Sequence, residues 1–553
     1  MSVVVPVYNP GRFIEPCIQS MLDQSLPRTE FEVVFVDDGS TDETPARLDT
    51  LAAEQPLFRV IHTPNSGWSG TPRNIGIAEA RGEYVQFLDQ DDRMAPEALE
   101  RLSTMADTNR SDIVLGKVAS DFRGVPQNVF RRNRAACTIQ DAPLIDSLTV
   151  HKLFRRSFLI DHDIRFPGGK HRLDDQLFMV RAYFRARTVA ILADYTCYFY
   201  ARRDDRGNAG STQIEPESYY ANVREVIDVV LANTRAGEFR DRLLRRFLRV
   251  EMLGRLSEPA VLRYAPAYRE RTITAVRDLT TDLIDERVDA GLPALQRLRV
   301  GLLRRDDRAG LLELARRASE VRCLARADSV AWDRGRLRVA FEAGLDRPGG
   351  DGEALFVSRD HQRVILGPAL TDGLPIAPID ITHEIRTLRA DLLLRDPVTG
   401  TEWIVPSKAS SVPGPSVRAV ATVEPRRLAG GRPLAPGTWE AWVRVTGVGF
   451  DRRSRLFLAL PAVTGAASPA IVAGGPPAVV TSLDLEGGMT LVVERELPAM
   501  RDPSAAAGPV RALATRSGPV FERAAWRVYY RLPAFARATA RATFRRLRAA
   551  ARA

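Results

Sequence analysis

Val33-Val34-Phe35-Val36 runs directly into Asp37-Asp38-Gly39-Ser40-Thr41-Asp42. Four apolar residues without a polar break suit a strand buried on both faces, as in a parallel sheet. The two adjacent carboxylates then stand at its carboxyl end, where open α/β sheets bind ligands. There they can accept hydrogen bonds from a base or a ribose, or serve turn and capping chemistry. Ser40-Thr41-Asp42 supplies N-cap residues for the helical pattern Glu43–Glu54. Working outward, Ser2–Asn9, Phe58–Thr63 and Tyr84–Asp89 read as further strands, with helices over Arg12–Gln24 and Thr71–Arg81. This alternation predicts an α/β domain with right-handed crossovers.

Phe87-Leu88-Asp89-Gln90-Asp91-Asp92 repeats the theme at the end of another apolar run. Three carboxylates within four residues repel one another, and a hard divalent cation, Mg²⁺ or Mn²⁺, would relieve that repulsion. Such a cation could also bridge to a diphosphate and favour its departure. Farther on, Phe166-Pro167-Gly168-Gly169-Lys170-His171-Arg172-Leu173-Asp174-Asp175 precedes a helical run through Leu177, Val180 and Phe184. His171 reads as an exposed loop histidine or an acceptor contact.

Taken in order, Ser2–Asn9, Asp37-Asp38, Asn65-Ser66-Gly67 with Pro72-Arg73-Asn74-Ile75-Gly76, and Asp89-Gln90-Asp91-Asp92 resemble glycosyltransferase family 2, over about residues 1–215. The resemblance implies a GT-A fold, a nucleotide-sugar donor and inversion at the transferred sugar. It assigns the Pro6–Tyr8 turn and Asp38 to the nucleotide base, Arg73 to base or phosphates, and Asp89 to ribose or metal. Asp91 becomes the main metal ligand, supported by Asp92. Asp174-Asp175 is similar to the family's paired acids, so Asp175 is expected to be the catalytic base and Asp174 its positioning neighbour. Tyr198–Asp205 with Gly210-Ser211-Thr212 resembles the segment that closes over the diphosphate, which makes Arg202 and Arg203 donor contacts. Lys152 is expected to be structural. One departure is Ser69-Gly70-Thr71-Pro72, where many members carry Ser-x-Ala-Arg.

Beyond the first domain the character changes twice. Residues 216–325 are Leu- and Arg-rich and read as helical, as in Phe239–Leu256 and Tyr268–Val288, with many arginines expected on a solvated face. Residues 326–498 carry short strand patterns, among them Val330–Phe341, Ala354–Leu366, Glu384–Leu394 and Trp439–Val448, separated by Gly/Pro turns. They predict an antiparallel sandwich, and the stretch around Pro433-Leu434-Ala435-Pro436-Gly437-Thr438-Trp439-Glu440 resembles immunoglobulin-like accessory modules. An Ala/Pro/Gly linker is expected over 499–519. From Val520 to Ala553 there are nine arginines and one acid, a net of +8 out of the chain's +10. Their three- and four-residue steps read as a basic amphipathic helix suited to an anionic membrane surface or polymer.

The four cysteines are widely spaced, which argues against a zinc or disulfide framework. No secretory leader is evident at Met1 and no long apolar run occurs, so a cytoplasmic, peripherally membrane-bound protein is expected. No GxGxxG or P-loop appears, and no nucleic-acid module. The expected acceptor is an anionic wall polymer or glycan, and a homo-oligomer is compatible with the accessory domain. The rivals are a metal-dependent nucleotidyl- or phosphotransferase and a non-catalytic carbohydrate-binding scaffold.

Overall fold

The computed structural model describes residues 1–205, 214–347, 354–359, 363–411, 416–458, 479–483 and 488–495. Gly210-Ser211-Thr212, the linker 499–519 and the basic segment 520–553 lie outside them. Among the described residues, no helix is long and apolar enough to cross a membrane.

In the first domain the order is β1 (Ser2–Val7), α1 (Ile14–Leu22), β2 (Glu32–Asp37), α2 (Thr44–Glu54), β3 (Phe58–His62), α3 (Gly70–Glu79) and β4 (Tyr84–Phe87). Then come β5 (Arg93–Met94), α4 (Ala98–Asn109), β6 (Ile113–Ser120), β7 (Arg134–Cys137), β8 (Leu153–Arg155), α5 (Arg156–Asp161), α6 (Asp174–Arg185) and β9 (Val189–Tyr200). They form one mixed sheet in the order β3-β2-β1-β4-β8-β6-β9-β5, with β7 on β9. The β1–β4 region is parallel, and β8 runs antiparallel to β4 and β6.

The apolar runs explain the architecture. β1, β4 and β6 are buried at every position, so helices must cover both faces of the sheet. α3 lies so close to β1 that a Cβ on Gly76 would stand 2.2 Å from Val4 Cγ1. Only glycine admits that approach. Pro6 belongs to β1 itself, opposite Val36 of β2, rather than to the turn expected around Tyr8. Pairing with β4 ends at Val4, so the missing Pro6 N–H costs the ladder nothing.

The helical segment comprises α7 (Pro216–Asn233), α8 (Glu238–Phe247), a π-helical turn (Leu248–Met252), α9 (Ala260–Arg263), α10 (Pro266–Leu283), α11 (Glu286–Asp289), α12 (Ala294–Arg304) and α13 (Arg308–Glu320). Phe239–Leu256, expected as one helix, changes pitch at Leu248, and Tyr268–Val288 breaks at Ile284-Asp285. Several arginines expected in solvent are instead buried in ion pairs. Arg299, 1% exposed, bonds Glu258 at 2.8 Å, and Arg246 bonds Glu251 at 2.8 Å.

The C-terminal part is two facing sheets. One contains β10 (Arg322–Asp333), β11 (Arg336–Asp346), β16 (Ser407–Ser411), β17 (Ser416–Val423) and β20 (Phe457–Leu458). The other contains β14 (Arg389–Arg395), β15 (Glu402–Ile404), β18 (Gly437–Gly447), β19 (Phe450–Arg455), β21 (Val479–Leu483) and β22 (Met489–Val493). A separate hairpin is formed by β12 (Phe356–Arg359) and β13 (Arg363–Leu366). Pairing is antiparallel except between β10 and β20. Val330–Phe341, expected as one strand, is the hairpin of β10 and β11, turned at Arg334-Gly335 with both φ positive. Glu384–Leu394 begins as a helical turn, Thr382–Arg386, before β14.

This part docks on the first domain through β6. Lys117 Nζ, in a bulge of β6 against β9, donates to Glu402 O at 2.6 Å and lies 3.4 Å from the centre of the Trp403 ring. Gln127 Nε2 donates to Glu402 Oε2 at 2.9 Å, and Arg131 pairs with Asp391 at 2.8 Å.

Candidate active site

The carboxyl ends of β1, β2 and β4 meet at one edge. Asp37 is spent on local structure: Oδ1 accepts from Ser40 N at 3.0 Å, and Oδ2 faces His62 Nδ1 at 2.8 Å. Asp38 reaches across to the Asn65-Ser66-Gly67 loop, accepting from Ser66 N and Ser66 Oγ, each at 3.0 Å. Tyr8 N donates to Gln90 Oε1 at 2.8 Å and Gln90 Nε2 returns a bond to Tyr8 O at 3.1 Å. That clasp holds the end of β1 against the acidic loop and leaves the Tyr8 side chain in solvent.

The acidic loop is tied from beneath by β9. Asp92 is buried; it accepts from Tyr198 OH at 2.6 Å and from Ala201 N at 2.8 Å. Asp89 accepts from Arg73 at 2.8 Å and is bonded to His151 Nε2 at 3.0 Å. Burial alone would raise the Asp89 pKa, but His151 and Arg73 hold it well below the usual carboxylate range. The loop's other acids go the opposite way. Burial and the charge of Asp89 push Asp91 up to about 6, and burial with Asp89 and Asp91 pushes Asp92 well up. Crowded negative charge of this kind is what a divalent cation neutralises. Asp89, Asp92 and His151 offer ligand atoms within 4.8 Å of one another; Asp91 lies outside that group.

Arg73 joins this loop to the second acidic motif. Its guanidinium, 6% exposed, donates to Asp89 and, at 3.4 Å, to Asp174 Oδ2. Asp174 and Asp175 open α6, where the helix dipole favours anions. Asp175 accepts from Gln176 N at 2.9 Å. Burial first, and the Asp174 charge second, push Asp175 up to about 7, with Arg73 opposing. Lys152 is buried nearby and donates to Thr149 O; burial brings it down to about 7 and the Asp175 charge resists that fall.

Arg203 is engaged by Asp205 through two bonds of 3.0 and 2.7 Å and lies 4.5 Å from the Phe13 ring centre, whereas Arg202 is exposed. His171 is not an exposed loop residue: it is 8% exposed and pairs with Glu225 of α7 at 3.0 Å. Sequence reasoning misses His151 altogether, because its partners Asp89 and Tyr200 are distant in the chain. All four cysteines are buried and free.

Residues 2–182 match the model of glycosyl transferase family 2, and residues 216–315 match the glycosyl transferase TarS linker domain. The first domain is thus similar to glycosyl transferase family 2. Over 290 residues the chain is 32% identical to poly(ribitol-phosphate) beta-N-acetylglucosaminyltransferase TarS of Staphylococcus aureus, covering 52% of the chain and 50% of that protein. A poly(ribitol-phosphate) beta-glucosyltransferase of Bacillus spizizenii is 34% identical over 235 residues, or 42% of the chain and 37% of that protein. The chain thus matches half or less of these relatives' length. The crystal structure of S. aureus TarS 1-349 with UDP-GlcNAc superposes with a TM-score of 0.52 at 29% identity, covering 63% of this chain and 97% of that one. The GT-A sheet, the helical segment and the antiparallel C-terminal sheets are therefore as the sequence predicted.

Proposed function

We propose that the protein is an inverting glycosyltransferase that moves a hexosyl or N-acetylhexosaminyl group from a UDP-sugar to a hydroxyl of an anionic cell-envelope polymer. The observation that carries this reading is Arg73, which binds Asp89 and Asp174 at once and so places the two acidic motifs in one cleft. The names of the relatives above favour a polyol-phosphate acceptor of the teichoic-acid type over capsular glycan. The division into 1–215, 216–325, 326–498, 499–519 and 520–553 belongs to the proposal. So does docking of the basic 520–553 segment on an anionic membrane or on the polymer.

In the transfer, Asp175 takes the proton of the acceptor hydroxyl as its oxygen attacks the anomeric carbon, and the bond from that carbon to the diphosphate breaks on the opposite face. A carboxylate pushed up to about 7 suits that task, since a base works best with a pKa near the working pH. Asp174, fixed by Arg73, orients it. Asp38 and the exposed Tyr8 ring bind the base, with Pro6 fixing the strand beneath them. Arg202 and Arg203 face the diphosphate. In this charge-crowded loop Asp91, with Asp89 and Asp92, would hold a divalent cation, Mn²⁺ or Mg²⁺, and His151 steadies Asp89. Such a cation would supply charge neutralisation for the departing diphosphate.

The test is nucleoside diphosphate release from a panel of nucleotide sugars with Mn²⁺, in wild type and Asp175→Asn, with UDP binding followed by calorimetry. Metal-dependent UDP release that collapses in the variant is expected. Release of pyrophosphate instead would favour a nucleotidyltransferase. Absence of both release and metal-dependent UDP binding would leave only a carbohydrate-binding scaffold.

A further inference from the structure

Helix α6 presents Asp175, yet its own start is poorly secured. Among the described residues no side chain caps it, and it is entered through Leu173 at φ +66, a conformation a bulky residue adopts only when its surroundings impose it. One restraint is Arg73 on Asp174. The other comes from a different part of the chain. Gln176 Nε2 donates to Glu251 Oε1 at 2.9 Å, and Arg246 donates both to Gln176 Oε1 at 3.1 Å and to Glu251 Oε1 at 2.8 Å. Tyr219 OH donates to the second Glu251 oxygen at 2.6 Å, and Arg255 donates to that hydroxyl at 3.3 Å.

Glu251 and Arg246 are 6% and 8% exposed. A buried ion pair is a poor source of stability, because desolvation offsets most of its attraction; its better-attested use is to specify one arrangement. Glu251 also sits in the π-helical turn Leu248–Met252, a rare geometry found frequently at functional sites. Arg246 and Gln176 bond one carboxylate oxygen of Glu251 and Tyr219 bonds the other; Tyr220 bonds its main-chain carbonyl, and Arg255 reaches it through the Tyr219 hydroxyl and by charge.

We infer that Glu251 and Arg246 of the helical segment are positioning residues for the transfer: through the Gln176 side chain they fix the first turn of α6, and with it the direction of the Asp175 carboxylate. The inference rests on the reading of Asp175 as the base. It makes the helical segment part of the catalytic apparatus without touching substrate.

Full-length Gln176→Leu, Glu251→Gln and the double variant decide it, beside wild type and Asp175→Asn. Gln176→Leu leaves the Glu251–Arg246 pair intact, so the helical segment keeps its fold. UDP release from UDP-N-acetylglucosamine with Mn²⁺ is expected to fall about 10-fold at unchanged donor KM, less than the ~10²–10⁴-fold that loss of a general base costs. The double variant should fall no further than the worse single one. Amide exchange of residues 174–178 should quicken while that of β1 and β4 stays put. Unchanged exchange in Gln176→Leu, or single effects that multiply, would overturn the inference. If wild type and Asp175→Asn release UDP alike, the function reading fails by itself, and the exchange of 174–178 still judges the network.

Discussion

Two pairs of adjacent aspartates, Asp37-Asp38 and Asp174-Asp175, look alike in the sequence and differ in what surrounds them. The first pair is met by donors on every side: Ser40 N and His62 for Asp37, Ser66 N and Oγ for Asp38. Of the second pair, Arg73 bonds Asp174 and not Asp175, and burial leaves Asp175 pushed up to about 7. A carboxylate with hydrogen-bond donors becomes structure or a fixed acceptor. One that has fewer of them and a raised pKa is suited to the part of a base proposed for Asp175. The lesson is that local partners, rather than the motif, divide the work.

The contrast can be broken most severely at Asp175. Asp175→Asn should cut turnover by about 10²–10⁴-fold while UDP affinity holds. Its pKa is raised on folding, so its contribution to stability is full below about 4 and lost as pH rises through about 7. Thermal melts without metal should therefore show the variant gaining on wild type at pH 8 and matching it near pH 4. Wild-type turnover should rise through pH 7.

Next in size is Arg73→Met, which strips the shared cation from the buried Asp174 and the half-buried Asp89. A loss of about 3–5 kcal/mol in denaturant titrations is expected, the usual cost of leaving a buried charge uncompensated. A loss below about 1 kcal/mol would mean that the two motifs are not joined through this residue.

A smaller effect belongs to Asp38. Asp38→Asn should weaken UDP binding about 10-fold by calorimetry, roughly 1.4 kcal/mol, with the melting temperature little moved. Smallest is Asp37→Asn, which should leave UDP affinity alone and act on stability. Hydrogen bonding to Asp37 raises the His62 pKa, so that stabilisation is full below the unfolded histidine value and fades as pH rises through the folded one. The variant should melt earlier than wild type at pH 5.5, with the gap shrinking by pH 9.

Much of the catalytic half is legible because its strands are unbroken apolar runs ending in acids. Asp38, Asp89, Asp91, Asp92, Asp174 and Asp175 announce themselves by position after a strand or before a helix. His151 has no such signal, since its meaning comes from Asp89, 62 residues away. His171 reads as exposed because the glycines before it say loop, whereas α7 covers it from elsewhere. In the β half, Asp333 and Gly335 are turn formers, so the hairpin turn at Arg334-Gly335 is legible and a single strand over 330–341 runs across its signal. Glu251 shows the same limit as His151 most sharply: in sequence it is one acid among arginines.

Lys117 carries a consequence for anyone who would cut or graft this protein. Burial brings it down to about 7, and its ammonium rests on a carbonyl and an indole that belong to the C-terminal sheets. Gly400 approaches the same strand so closely that a Cβ there would stand 2.1 Å from Ser120 O. The seam is thus keyed like a lock cut for one blade. A shortened chain ending before Glu402 would uncover Lys117, and a foreign module would need both a backbone carbonyl and a ring in the right place. The two halves can be exchanged between relatives only as a matched set.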